Sequence, residues 1–186
     1  MGKPKVDNSA DAIRVASFSG GMRAETDRGA VLVGAALLDE LLGHLLATAF
    51  IDDPKASNRM LEYPGACSTF AARADLAYCL GLIGPDVVRD LSCIRKLRNQ
   101  FAHSPWGVTL ADERIGTMCD ELEIIAGMRR RGTKIAMSAR GKFGFVVAVL
   151  ASNITRMADI QKHAKRAPKL TPDRLLDPKS QNPLGY

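Results

Sequence analysis

Aromatic side chains are scarce: six Phe, three Tyr and one Trp make up 5% of 186 residues. In the basic C-terminal part there are Phe143, Phe145 and Tyr186, too few for a platform that stacks nucleic-acid bases. No run approaches the roughly 18 to 20 uninterrupted apolar residues of a membrane span, and the opening MGKPKVDNSA lacks the apolar core of a secretory signal. A soluble, cytoplasmic protein with no membrane partner is therefore expected. Histidine is almost as rare, and His44 and His163 fall on polar faces without a signature. The four cysteines, Cys67, Cys79, Cys93 and Cys119, lie 12, 14 and 26 residues apart, with no CxxC pair and no histidine at ligand spacing. They read as reduced, mostly buried thiols, with no metal and no cofactor implied.

Charge is present but segregated. Residues 1–128 carry 13 Lys/Arg against 17 Asp/Glu, whereas residues 129–186 carry 13 against 3. Such separation produces a directional field that attracts a polyanion, RNA being one candidate, or it marks no more than a solvated basic tail. Arg129, Arg130, Arg131, Lys134, Arg140 and Lys142 are the candidate nucleic-acid contacts, and with so few aromatics they would bind phosphates with little sequence preference.

With 46% apolar residues the chain is long enough for one good core. Residues 1–10 form a polar lead, 11–166 a single helical domain, and 167–186, with four prolines, a tail expected to be disordered. In TDRGAVLVGAALLDELLGHLLATAF, apolar residues recur at intervals of three and four behind Thr26, which predicts a capped helix. DDPKASNRMLEYPGA reads as a connection with about one helical turn. CSTFAARADLAYCLGLI predicts a helix closed by Gly84, and Pro85 opens another that stops before Pro105. TLADERIGTMCDELEIIAGM is amphipathic and RRRGTK is a loop. SARGKFGFVVAVLASNITRMADIQKHAKRA is helical in period, although its β-branched FVVAVL also suits a strand. No repeat is present, and the predicted fold is an all-α, single-domain bundle of about five to seven helices.

Polar residues intrude on these apolar stripes. Arg73 shares a face with Phe70 and Ala77, while Asp27 and Asp39 fall on or beside the stripe of the first long helix. A buried polar network of Asp27, Asp39 and Arg73 is expected, because an unpaired buried arginine is costly. In IRKLRNQFAH, at about 100° per residue, Arg98 lies about 40° from Ile94, inside the arc of Val87, Leu91 and Phe101. Arg98 is thus expected in an apolar seam, where it needs a carboxylate, a phosphate or water. His103 falls about 140° from Arg98 on a regular helix, so two antiparallel copies would bring the groups together better than one.

Arg98-Asn99-x-x-x-His103 resembles the Arg-x(4-6)-His signature of the HEPN superfamily of small, often dimeric helical bundles. The blocks DRGAVLVGAALLDELL, FAARADLAYCLGLI and IRKLRNQFAHSPWGVTLADERI, with a later arginine-rich helix, are similar in order and spacing to the mannitol operon repressor family over roughly residues 25–157. The first resemblance implies a metal-independent endoribonuclease or RNA-binding homodimer. In it Arg98 would stabilise the phosphorane-like transition state, His103 would move protons, and Asn99 would orient the histidine or donate to phosphate. The second implies a regulator acting through a protein or nucleic acid. No helix pair has the short turn and polar recognition helix of a helix-turn-helix, which argues against direct reading of an operator.

Overall fold

The structure is a computed structural model that describes residues 20–21, 24–104 and 107–162. The described residues form seven helices and no strand: α1 (Asp27–Ala49), α2 (Pro54–Leu61), α3 (Phe70–Cys79), α4 (Pro85–His103), α5 (Glu113–Asp120), α6 (Glu123–Arg130) and α7 (Ala139–Lys162). This is an all-α bundle with one core. The expectations for residues 1–10 and 167–186, and His163, lie outside the described residues.

Local chemistry sets most of the boundaries. The Thr26 hydroxyl accepts from Gly29 N at 3.1 Å and so caps α1. Asp53 Oδ1 accepts from Ala56 N at 3.1 Å, with Pro54 in the first helical position of α2. Thr69 caps α3 in the same way through Ala72 N. The connection expected at residues 52–66 therefore contains an eight-residue helix, because Asp53-Pro54 acts as a start signal rather than a break. α3 stops earlier than its apolar pattern: Gly81, at φ +70°, takes the left-handed conformation that ends it, in place of Gly84. FVVAVL is helical, since Phe143, Val146, Val147, Leu150 and Ile154 are all buried along one side of α7.

α1 is the central element. It packs most extensively on α7 and then on α4 and α3. Asp27 meets Arg140, and Gly34 meets Phe143 and Val147, so contacts advance in the same direction along both helices and α1 and α7 run parallel. A Cβ at Gly34 would lie 3.2 Å from Phe143 Cε1, so the absent side chain is what allows the ring to sit against the α1 backbone. Gly43, about 180° around α1 from Gly34, faces Arg73, whose guanidinium carbon would be 3.4 Å from a Cβ there, an ordinary contact that a small side chain could also make. By length and composition α1 and α7 are also the two described helices apolar enough to cross a membrane; here much of that apolar surface is buried within the bundle.

The amphipathic stretch after α4 divides into α5 and α6 because of a buried carboxylate on α4. Asp90, 1% exposed, accepts from Glu123 N at 2.5 Å and Ile124 N at 3.2 Å, satisfying the first amides of α6 from across the interface. Burial raises the Asp90 pKa above its ordinary 3.8, and the two backbone donors oppose that rise.

Two outcomes follow from this packing. Gly34→Leu is expected to lower stability by about 1 to 3 kcal/mol through overpacking against Phe143, measured by urea denaturation. Asp90→Ala leaves two buried amides without acceptors and should cost a similar amount, about 1 to 3 kcal/mol, near neutral pH. Because the folded Asp90 holds its proton to higher pH than the unfolded chain does, its ionisation opposes folding. Wild-type stability therefore carries a component that declines as pH rises through the raised folded Asp90 pKa, and Asp90→Ala lacks it. Parallel stability curves for the two proteins across that window would contradict the assignment.

Candidate binding face on α4

α4 buries Asp90, Leu91, Ile94, Leu97 and Phe101, packs Val87 and Cys93 partly against the core, and turns Lys96, Arg98, Ala102 and His103 outward. Arg98 is exposed, which overturns its expected place in the apolar seam. The arc at about 40 to 60° from Ile94 is covered beside Leu91 but not two turns later at Arg98, where no helix overlies it. A wheel assumes uniform cover along a helix, whereas the cover on this side of α4 differs between Leu91 and Arg98. Arg98 thus carries no burial cost, and its Nη1 donates to Asn99 Oδ1 at 3.0 Å. His103, also exposed, is the last residue of α4.

The helix end bearing His103 is held by α1. Arg28 donates to the Ser104 carbonyl, and Asp27 Oδ2 accepts from Leu110 N at 2.8 Å, fixing the following segment. Asp27 Oδ1 also accepts from Arg140 at 2.5 Å, so this carboxylate joins α1, the α4–α5 connection and α7.

Two residues missed in the sequence complete the outer face: Arg95 and Lys96. Arg95 is one helical turn from both Arg98 and Asn99, and Asn99 is one turn from His103. No Asp or Glu occurs from residue 91 to 103. Among the described residues, no ion pair engages Arg95, Lys96 or Arg98. The signal in the sequence was this absence of acids on an exposed arc, which a search for reactive pairs passes over.

The basic segment behaves differently. Arg129 and Lys142 both bond Asp120, Lys142 at 2.6 Å, and Arg130 reaches Glu123 at 3.1 Å. The Lys142 and Arg129 hydrogen bonds lower the Asp120 pKa, and those from Arg130 and Arg89 lower that of Glu123. With Arg140 committed to Asp27, four of the six candidate cations face carboxylates of this same chain. Arg131 and Lys134 are exposed, without an ion pair among the described residues.

Arg73 and Asp39 form a partly buried pair at 2.7 Å, and the guanidinium also donates to the carbonyls of Cys67, Asp39 and Leu61. Asp27 belongs to the separate Arg140 site, so the expected network is two independent clusters. Burial pushes the Cys93 thiol up to about 11 and the Cys119 thiol up to about 12, so neither is an activated nucleophile. Cys67 is buried and Cys79 exposed, all four being free.

No protein-family model matches the chain, and no curated protein matches it. Among solved structures, a chain from the X-ray structure of the MtlR–HPr complex of Escherichia coli has the same architecture, with a TM-score of 0.62 at 20% sequence identity. The match covers 79% of this chain and 99% of that one, so the bundle as a whole is an MtlR-like fold.

Proposed function

We propose that this protein is a regulatory binding module of the mannitol-repressor type, acting by docking a protein partner on the outer face of α4. The observation that carries this reading is the likeness, across nearly the whole of the other chain, to a structure of MtlR in complex with HPr. The α4 face adds a chemical preference. Arg95, Lys96 and Arg98 stand exposed or half-exposed with no ion pair among the described residues, an arrangement that speeds encounter with an acidic surface and discriminates against a basic one. The segment at 129–142 offers less to a polyanion, since most of its cations are already paired.

A second reading, a HEPN-type homodimeric endoribonuclease, is favoured by one observation: Arg98 and His103 are both exposed on the last turns of α4, with Asn99 bonded to Arg98. There the arginine would hold the scissile phosphate and the imidazole would transfer protons.

Titration calorimetry with purified HPr from the same organism separates the two. Arg95→Glu/Arg98→Glu is expected to weaken binding by about tenfold or more, with the salt dependence reduced and the Tm little changed, because both side chains lie at the surface. Binding indifferent to this reversal removes the α4 face from the proposal. RNA cut by the wild type and spared by His103→Ala would move the assignment to the second reading.

A further inference from the structure

Where α1, α2 and α3 meet, Phe50, Ile51, Ala56, Met60, Leu76 and Leu80 line an apolar groove of about 420 Å³. Ile51, Met60 and Leu80 on it are 40%, 40% and 38% exposed. A cluster of large apolar side chains left open around one groove marks an interaction surface. Neither functional reading uses it, as both concern α4.

Three observations identify the occupant. The first is where the chain goes. α7 runs parallel to α1 and is nearly the same length, 24 residues against 23, so Lys162 is delivered to the same end of the bundle as Ala49. Residues 163–186 continue from there, and the 13 residues from Lys162 to Leu175 reach up to about 40 Å, several helix diameters.

The second is charge. Residues 171–178 carry Asp173 and Asp177 against Arg174, so the leucine pair is flanked by acids. On α2, Lys55 and Arg59 adjoin the groove-lining Ala56 and Met60, exposed and without an ion pair among the described residues, and so offer cations to those acids.

The third is side-chain chemistry. Thr171-Pro172-Asp173-Arg174-Leu175-Leu176-Asp177-Pro178 sets two adjacent leucines within an otherwise polar segment that begins with a Thr-Pro helix-start signal. Such a pair has apolar area to bury and nothing nearby in sequence to bury it against. We propose that residues 171–178 dock within their own chain on the α1–α2–α3 groove, Leu175 and Leu176 covering Ile51, Met60 and Leu80, so that the C-terminal segment is a built-in ligand.

Hydrogen exchange on the full-length protein provides the test. In Leu175→Asp/Leu176→Asp, amides of residues 50–61 are expected to exchange about tenfold faster than in the wild type, with α4 and α7 unaffected. A second variant, Met60→Cys/Leu176→Cys with the exposed Cys79→Ser, is expected to close a disulfide within one chain on mild oxidation and to run as a monomer on a non-reducing gel. A disulfide-linked dimer would assign the groove to the segment of a second copy and overturn docking within the chain. Unchanged exchange at residues 50–61, with no disulfide formed, would overturn the proposal altogether and leave the groove to another protein.

Discussion

The close approach of α1 to α7 at Gly34 is the constraint on which the rest of the bundle depends. A helix touching one neighbour needs one apolar stripe, but α1 is approached from opposite sides, by Phe143 of α7 at Gly34 and by Arg73 of α3 at Gly43. Gly34 lets α7 close on this axis without a wide gap, while the Arg73 guanidinium lies in ordinary contact on the opposite side. At the N-terminal end of that axis, Asp27 ties the α4–α5 connection and α7 to α1 through one carboxylate. The position of His103 at the end of α4 follows from these ties rather than from α4 alone.

Much of this was legible in the sequence, and the exceptions share a cause. Thr26, Pro85 and the apolar periods of α1, α4 and α7 act locally, and the helices they specify formed within a residue or so of their signals. The stretch 109–128 reads as one amphipathic element because nothing within it demands a break. The division comes from Asp90, some thirty residues earlier, which caps α6 across an interface. α3 ended at Gly81 because one glycine competed with another, and periodicity does not choose between them.

The candidate site was less legible for the same reason. Arg98 belonged to the apolar arc by angle, but its burial depended on how far neighbouring helices extended over that end of α4. Asp39, on the edge of the α1 stripe, is one of two acids the sequence offers as partners for Arg73 or Arg98, and it is the one that meets Arg73. The pairing of Asp27 with Arg140 joins residues 113 apart and has no local trace. Four of the cations between residues 129 and 142 are met in space by carboxylates that precede them, Asp120, Glu123 and Asp27. Arg95, Lys96 and Arg98 on α4 have no ion pair among the described residues, although they lie within the segment whose overall charge is negative.

The parallel arrangement of α1 and α7 also bears on how the chain acquires its structure. The most extensive helix pair in the bundle joins the first described long helix to the last, so its contacts carry the greatest sequence separation available. Topologies dominated by such distant contacts fold more slowly than those built from neighbours, because a long loop must close before any of its stabilisation is gained. During synthesis, α1 through α6 emerge while the surface around Gly34 that receives Phe143 and Val147 is still bare. The nascent chain therefore exposes an apolar strip along its central helix until residues near 160 leave the ribosome.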